Sequence, residues 1–232
     1  MDVVAEGLWK ALSLIVHLDR EVLGITALSL EISASATLVS LLVGISAGVA
    51  VALSSFPGKR FAVSLVNTGM GLPPVVVGLF VSILLWRSGP LGALGLLYTP
   101  VAIVIAQAVI ATPIVMGITI SAVQSLPPAL HTQILALGAT RSQHLWLLMK
   151  EARLPLMAAV MAGFGGVISE VGASIMVGGN IRGSTRVLTT ATVMEVGRGN
   201  FDIAIALSFI LLATSLGINY LLTMVQQRKR PR

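Results

Sequence analysis

Five times this chain runs for about 20 residues or more with almost no charge, and that succession constrains its fold more than any other feature. The runs span 28–53, 61–86, 96–123, 154–177 and 203–225. A helix needs about 20 predominantly apolar residues to cross a bilayer, and inside the hydrocarbon only helices and closed barrels satisfy their own backbone. Runs this long are twice the length of a barrel strand. They predict an all-α integral membrane chain with five transmembrane helices, forming a single membrane domain over 1–232. Charged residues make up only 10% of the chain, against about 25% in soluble domains. The 23 glycines suit helices that approach closely inside a membrane.

Before the first run, Val4, Leu8, Leu12, Ile15 and Leu18 recur at helical spacing, with Asp2, Glu6, Lys10 and Asp19 between them. This pattern predicts an N-terminal helix lying in the interface, anchored by Trp9. It has neither the basic start nor the small-residue cleavage site of a signal peptide. Five crossings put the termini on opposite sides. One set of connections carries Lys59, Arg60, Arg141, Lys150, Arg153, Arg228, Lys229, Arg230 and Arg232 against the single acid Glu151. The other set balances its basic residues with acids. Basic loops stay in the cytoplasm, so the expected orientation in the plasma membrane is N-terminus outside and C-terminus inside.

The chain has no cysteine, and its three histidines, at 17, 131 and 144, are widely spaced. No metal site is therefore expected, nor any thiol chemistry. It has no Gly-rich phosphate loop of the GxxxxGK[ST] kind, so ATP chemistry has to come from another chain. The net charge of +6 reads as membrane orientation and not as nucleic-acid binding.

Two connections are long enough to carry function. The cytoplasmic one, about 124–153, reads SLPPALHTQILALGATRSQHLWLLMKEARLP. Pro127 and Pro128 stop the third run and open a short helix over 129–137. Gly138 turns the chain, and a second helix starts near Arg141. Two short helices around a glycine make a compact knob that can dock in a cleft on a cytoplasmic partner. The outer connection, about 178–202, sets Arg182 and Arg186 among Ser184, Thr185, Thr189 and Thr190. Positive charge with hydroxyl donors suits a small dianion. The same groups suit docking to an acidic protein edge or a gate structure better than direct binding of the anion, and anchorage at the membrane surface is a third reading.

The cytoplasmic stretch resembles the coupling loop of permease subunits of ABC importers through Leu137-Gly138-Ala139-Thr140 and Leu154-Pro155. It departs from that family in carrying Thr132-Gln133-Ile134 where the family has Glu-Ala-Ala, and in a Gly-to-Pro spacing longer by about one helical turn. The likeness extends through the segments 67–78, 150–153, 168–173 and 177–190, which read NTGMGLPPVVVG, KEAR, ISEVGA and VGGNIRGSTRVLTT. In these the chain is similar to the tungstate-type branch of the oxyanion permeases. The resemblance implies a type I ABC importer permease fold. It also implies a second copy of the chain around the pathway, two cytoplasmic ABC ATPase subunits on the coupling loops, and an extracytoplasmic oxyanion-binding protein. ATP and Mg would sit on the partner subunits, and this chain would have no catalytic residue or cofactor of its own. Molybdate or vanadate are alternative cargoes. A stand-alone channel or ion-coupled carrier is the rival from another class.

Within the runs, Pro73 and Pro74 remove two backbone donors and predict a kink, either shaping a path or serving packing. Asn67 and Thr68 lie close by and can bond freed carbonyls or face a polar channel. Glu170 is an ionisable group inside the fourth run, which needs a partner or water. It reads either as a hydrogen-bonded pin for gate helices or as a structural group facing a wet crevice. Gly44, Gly48, Gly163, Gly165 and Gly166 read as packing surfaces.

Overall fold

A computed structural model describes residues 19–227 together with Ala5, Gly7, Trp9, Lys10 and Ser13. Those five are helical. The rest of the expected interfacial helix and the basic tail 228–232 lie outside the described residues. Among the described residues every regular element is a helix.

Helix α1 (Arg20–Leu53) starts eight residues before the apolar run. The Asp19 carboxylate accepts a hydrogen bond from the Val22 N–H at 2.9 Å, and Glu21 sits in the positive first turn. This N-terminal capping extends the helix upstream of its apolar stretch. At 34 residues it is about 50 Å long. It buries a stripe of small residues, Ser29, Ser33, Ser40, Gly44 and Gly48, spaced so that one face repeats each turn. That face lies along α4 (Pro100–Gln124). A methyl added at Gly44 would come within 2.9 Å of Val115, and one at Gly48 within 2.8 Å of Thr119. The crossing is therefore as close as backbones allow. Gly163 of the helix over 153–168 approaches the same Val115 side chain at 2.9 Å, whereas Gly165 meets nothing within 4 Å.

The second run is interrupted. Helices α2 (Lys59–Met70) and α3 (Pro74–Leu85) meet at 100°, so the kink expected at Pro73-Pro74 is an elbow between two short helices. Pro74 opens α3, where a missing N–H is harmless, and it pushes the residue before it out of the helical region. The third run forms α4, which starts after the Thr99 cap and continues through Pro113. After it come α5 (Pro128–Ala136) and α6 (Arg141–Glu151), and α6 turns by 70° into α7 (Arg153–Ile168).

The fourth run differs from its expected form. It was expected to be continuous over 154–177, but it stops at Ile168 and resumes as α8 (Gly172–Gly178). Beyond it lie α9 (Leu188–Gly197) and the long α10 (Phe201–Gln227). Three helices, α1, α4 and α10, are long and apolar enough to cross a membrane, and up to five crossings result if each bent pair is one span. The main core sits where α1, α3, α4 and α8 meet, at Ile32, Val77, Val81, Ile103, Ala106 and Val177. Large apolar side chains such as Leu42, Phe80, Leu216 and Leu221 cover the outside, a surface that hydrocarbon solvates and water does not.

Candidate functional site

The α5–α6 knob follows from its turn chemistry. Gly138 has φ +77°, a left-handed value that non-glycine residues resist, and its N–H donates to the Leu135 carbonyl at 3.0 Å. Thr140 then caps α6. Its hydroxyl accepts from the Gln143 N–H at 3.4 Å, and the Gln143 side chain accepts from the Thr140 N–H at 2.8 Å. This is a reciprocal capping box, and the spacing of Thr140 and Gln143 is its signal in the sequence. Ile134 and Leu148 are buried and fasten the knob, while Leu137 at the tip is 87% exposed, with Ala139 half-buried beside it. Leu135 and Trp146 are exposed near it, and the Lys150 ammonium lies 5.0 Å above the Trp146 ring. The structure also brings His131 and His144 edge to face, 5.3 Å apart. The result is a rigid projection with an apolar tip and a cationic flank.

Glu170 lies in the interruption between α7 and α8, and it is 7% exposed. Its Oε1 accepts from the Ala173 N–H at 2.9 Å, so the carboxylate takes one of the orphan donors that open α8. Its backbone carbonyl accepts from the Thr189 hydroxyl at 2.9 Å. Nearby, the Gln107 side chain, 3% exposed in the middle of α4, bonds the Ser174 hydroxyl at 3.1 Å. In the sequence, a lone amide inside a 28-residue apolar run is the only signal of Gln107. Pro73 sits exposed at the α2–α3 elbow and Pro74 half-buried, with Asn67 and Thr68 exposed on α2. The Thr68 hydroxyl donates to the Ser64 carbonyl at 2.9 Å. None of these four contacts Glu170 through a hydrogen bond in this subunit.

The outer connection folds inward. Thr189 and Thr190 are buried, and the Thr190 hydroxyl bonds the Asn180 side chain at 2.9 Å and the Val187 N–H at 3.1 Å. Both hydroxyls thus serve internal bonds. Thr185, also buried, bridges the Gly178 carbonyl and the Ile181 N–H. The Leu188 N–H reaches back to the Ser29 hydroxyl of α1 at 2.8 Å. Arg182 is exposed and pairs bidentately with Glu21, its Nε lying 2.8 Å from Oε1. That hydrogen bond holds the guanidinium above its ordinary pKa. Arg186 is nearly enclosed, 3.6 Å from the same carboxylate. A 580 Å³ pocket lined by Glu21, Glu31, Arg182, Ser184 and Arg186 opens beside them. Glu21 as the shared partner was not legible, since it lies 161 residues from Arg182.

A bundle of apolar helices with broken crossings and a projecting glycine-centred knob is the architecture of a membrane permease. The chain belongs to the family of binding-protein-dependent transport system inner membrane components, which it matches over residues 40–231. It is 44% identical over 202 residues to a probable anion ABC transporter permease protein of Haloferax volcanii, covering 85% of this chain and 87% of that one. A tungstate uptake system permease protein of Peptoclostridium acidaminophilum is 39% identical over 98% of this chain and 100% of its own length. Its counterpart in Campylobacter jejuni is 30% identical, over 95% of this chain and 92% of its own. A crystal structure of an amino acid ABC transporter with histidines shares the fold, with a TM-score of 0.67 at 19% identity, covering 92% of this chain and 96% of that one.

Proposed function

We propose that this chain is the permease subunit of an ATP-driven importer that moves tungstate from an extracytoplasmic binding protein into the cytoplasm. The observation that carries the reading is its likeness, over nearly the full length of each, to two tungstate uptake permeases. Helices α2 and α3 count as one crossing and α7 with α8 as another, giving five with α1, α4 and α10, with the N-terminus outside and the C-terminus in the cytoplasm. Two copies enclose the pathway. The exposed tip Leu137, Gly138, Ala139 and Thr140 is the surface on which an ATPase subunit docks, one per copy, and ATP with Mg binds only there. The permease itself has no catalytic residue and no cofactor.

Nucleotide-driven closure of the ATPases pulls the two knobs, and because each knob continues into α7 through a single bend, the pull reaches the interruption at Glu170. The interrupted segment is where two arrangements of the same helices can alternate. Glu170, Thr189 and Thr190 hold that gate together. Pro73 and Pro74, with Asn67 and Thr68 on the elbow, shape the neighbouring wall. Arg182 and Arg186, tied to Glu21, present the outer docking surface to the binding protein.

The test is reconstitution of the complete complex in proteoliposomes. Tungstate-loaded binding protein should stimulate ATP hydrolysis more than molybdate-, vanadate- or sulfate-loaded protein. Oxyanion uptake by this chain alone, independent of ATP, would overturn the reading.

A further inference from the structure

We propose that this chain holds an anionic phospholipid in a groove between α1, α7 and α10, at the end of the molecule where α10 stops. The inference needs only that the chain spans a membrane and is independent of the cargo.

The groove encloses 250 Å³, and its walls are Ile45 of α1, Leu154, Met157 and Val160 of α7, and Val225 of α10. Its polar lining is confined to one end, where Arg153 opens α7 and Gln226 is the penultimate residue of α10. The Gln226 amide donates to the Leu154 carbonyl at 3.2 Å and ties the two walls together at this mouth. From Arg153 to Val160 the helix rises about 10 Å, a large part of one leaflet of a hydrocarbon layer about 30 Å thick. The groove does not end inside the protein. One turn deeper, on the faces that carry Ile45 and Val225, stand Leu42 and Leu221, both exposed. The slot therefore opens onto the surface that hydrocarbon covers, and an acyl chain is its natural filling. The mouth selects the headgroup. A guanidinium matches two phosphate oxygens at once, and Lys150 stands three residues before Arg153. Beyond α10 the sequence continues with Arg228, Lys229, Arg230 and Arg232. Six cations thus meet one acid, Glu151, in the segments 150–153 and 226–232, and basic clusters beside the end of a span attract anionic lipid. A second copy seated here by two-fold symmetry would set the same cations against themselves.

The test uses the complete complex in phosphatidylcholine vesicles that carry a small fraction of phosphatidylglycerol with a diazirine midway along one acyl chain. A second preparation carries the same fraction of the phosphatidylcholine analogue. We expect phosphatidylglycerol to label peptides of α7 and α10 about fivefold more strongly, the preference that one basic side chain near a membrane surface confers. Arg153→Gln should remove most of that preference, and Arg153→Lys should keep it. Val160→Trp fills the slot and should abolish labelling inside it, while labelling of α3 around the exposed Phe80 persists. Equal labelling of α7 and α10 by both lipids in the wild type, or an unchanged preference in Arg153→Gln, would overturn the proposal. The chain has no natural cysteine, so a disulfide-linked dimer formed by Val225→Cys alone would put a second copy in the groove and overturn it too. If Val160→Trp fails to insert, labelling of α3 is lost as well, and the two Arg153 variants decide the matter.

Discussion

The two long connections are similar in length and each contains short helices, yet they are built in opposite ways. The knob keeps its hydrogen bonds local, within the Gly138 turn and the Thr140 cap, and turns Leu135, Leu137 and Trp146 outward. The outer connection sends bonds to distant elements, to Ser29 of α1 and to the Glu170 carbonyl, and buries Thr185, Leu188, Thr189 and Thr190. A segment whose internal bonds suffice on their own can be gripped from outside without unfolding. A segment stitched into the core transmits displacement directly to what it touches. The difference implies that changes in the knob should alter association, and changes in the outer connection should alter stability and gating.

The largest effect is expected from Gly138→Pro. Proline cannot adopt φ +77°, so the knob should lose its shape and stimulated ATPase activity should fall to background while the spans still insert in the membrane. Gly138→Ala meets no atom within 4 Å and should cost only about 1–2 kcal/mol of left-handed strain, leaving measurable coupling. Full transport by the Pro variant would refute the docking assignment.

On the gate side, Glu170→Leu leaves the Ala173 N–H buried without an acceptor, at a cost of about 1–3 kcal/mol. Glu170→Gln keeps an oxygen in place. Transport should therefore fall about tenfold or more in the first and stay within about threefold of wild type in the second. Equal loss in both would mean that the charge itself is required.

Thr185→Val and Leu137→Ala form a crossed pair. The first removes a bridging hydroxyl and should lower thermal stability in detergent by about 1–3 kcal/mol, with ATPase affinity unchanged. The second should leave stability within about 0.5 kcal/mol and weaken ATPase association. If either variant moved the other's observable, the contrast between the two connections would collapse.

The smallest effect belongs to the exposed Glu21–Arg182 pair. Arg182→Gln should reduce binding-protein stimulation modestly at low salt and converge with wild type at high salt, because exposed charges are screened over about 8 Å at physiological ionic strength. A salt-independent defect would point to a role inside the fold. Arg186, nearly enclosed beside Glu21, is the candidate for that behaviour.

The features legible in the sequence are those encoded within a few residues. Pro73-Pro74 marked the elbow, Gly138 the turn and Arg141 the start of α6, because proline and glycine act on their own backbone. The interruption at Glu170 carried no such mark. The one proline of that apolar run, Pro155, lies 14 residues before Ser169, and the break depends on bonds that Thr189 and Ala173 donate to Glu170 only in the folded chain. The burial of Thr189 and Thr190 was not legible for a related reason. Composition shows that a hydroxyl is present but not which carbonyl or amide will claim it, and here the claimants, Glu170 and Asn180, lie 19 and 10 residues away.

The elbow between α2 and α3 has a consequence for where lipid can go. Twelve residues make a helix of about 18 Å, too short to cross a hydrocarbon layer of about 30 Å. At the corner, Pro74 offers no N–H to the Met70 carbonyl one turn upstream, and 70–73 are exposed on this subunit. Acyl chains cannot hydrogen-bond such a corner, so it must be turned from them, toward protein or toward water. Within the hydrocarbon layer, a ring of annular lipid cannot close around such a corner.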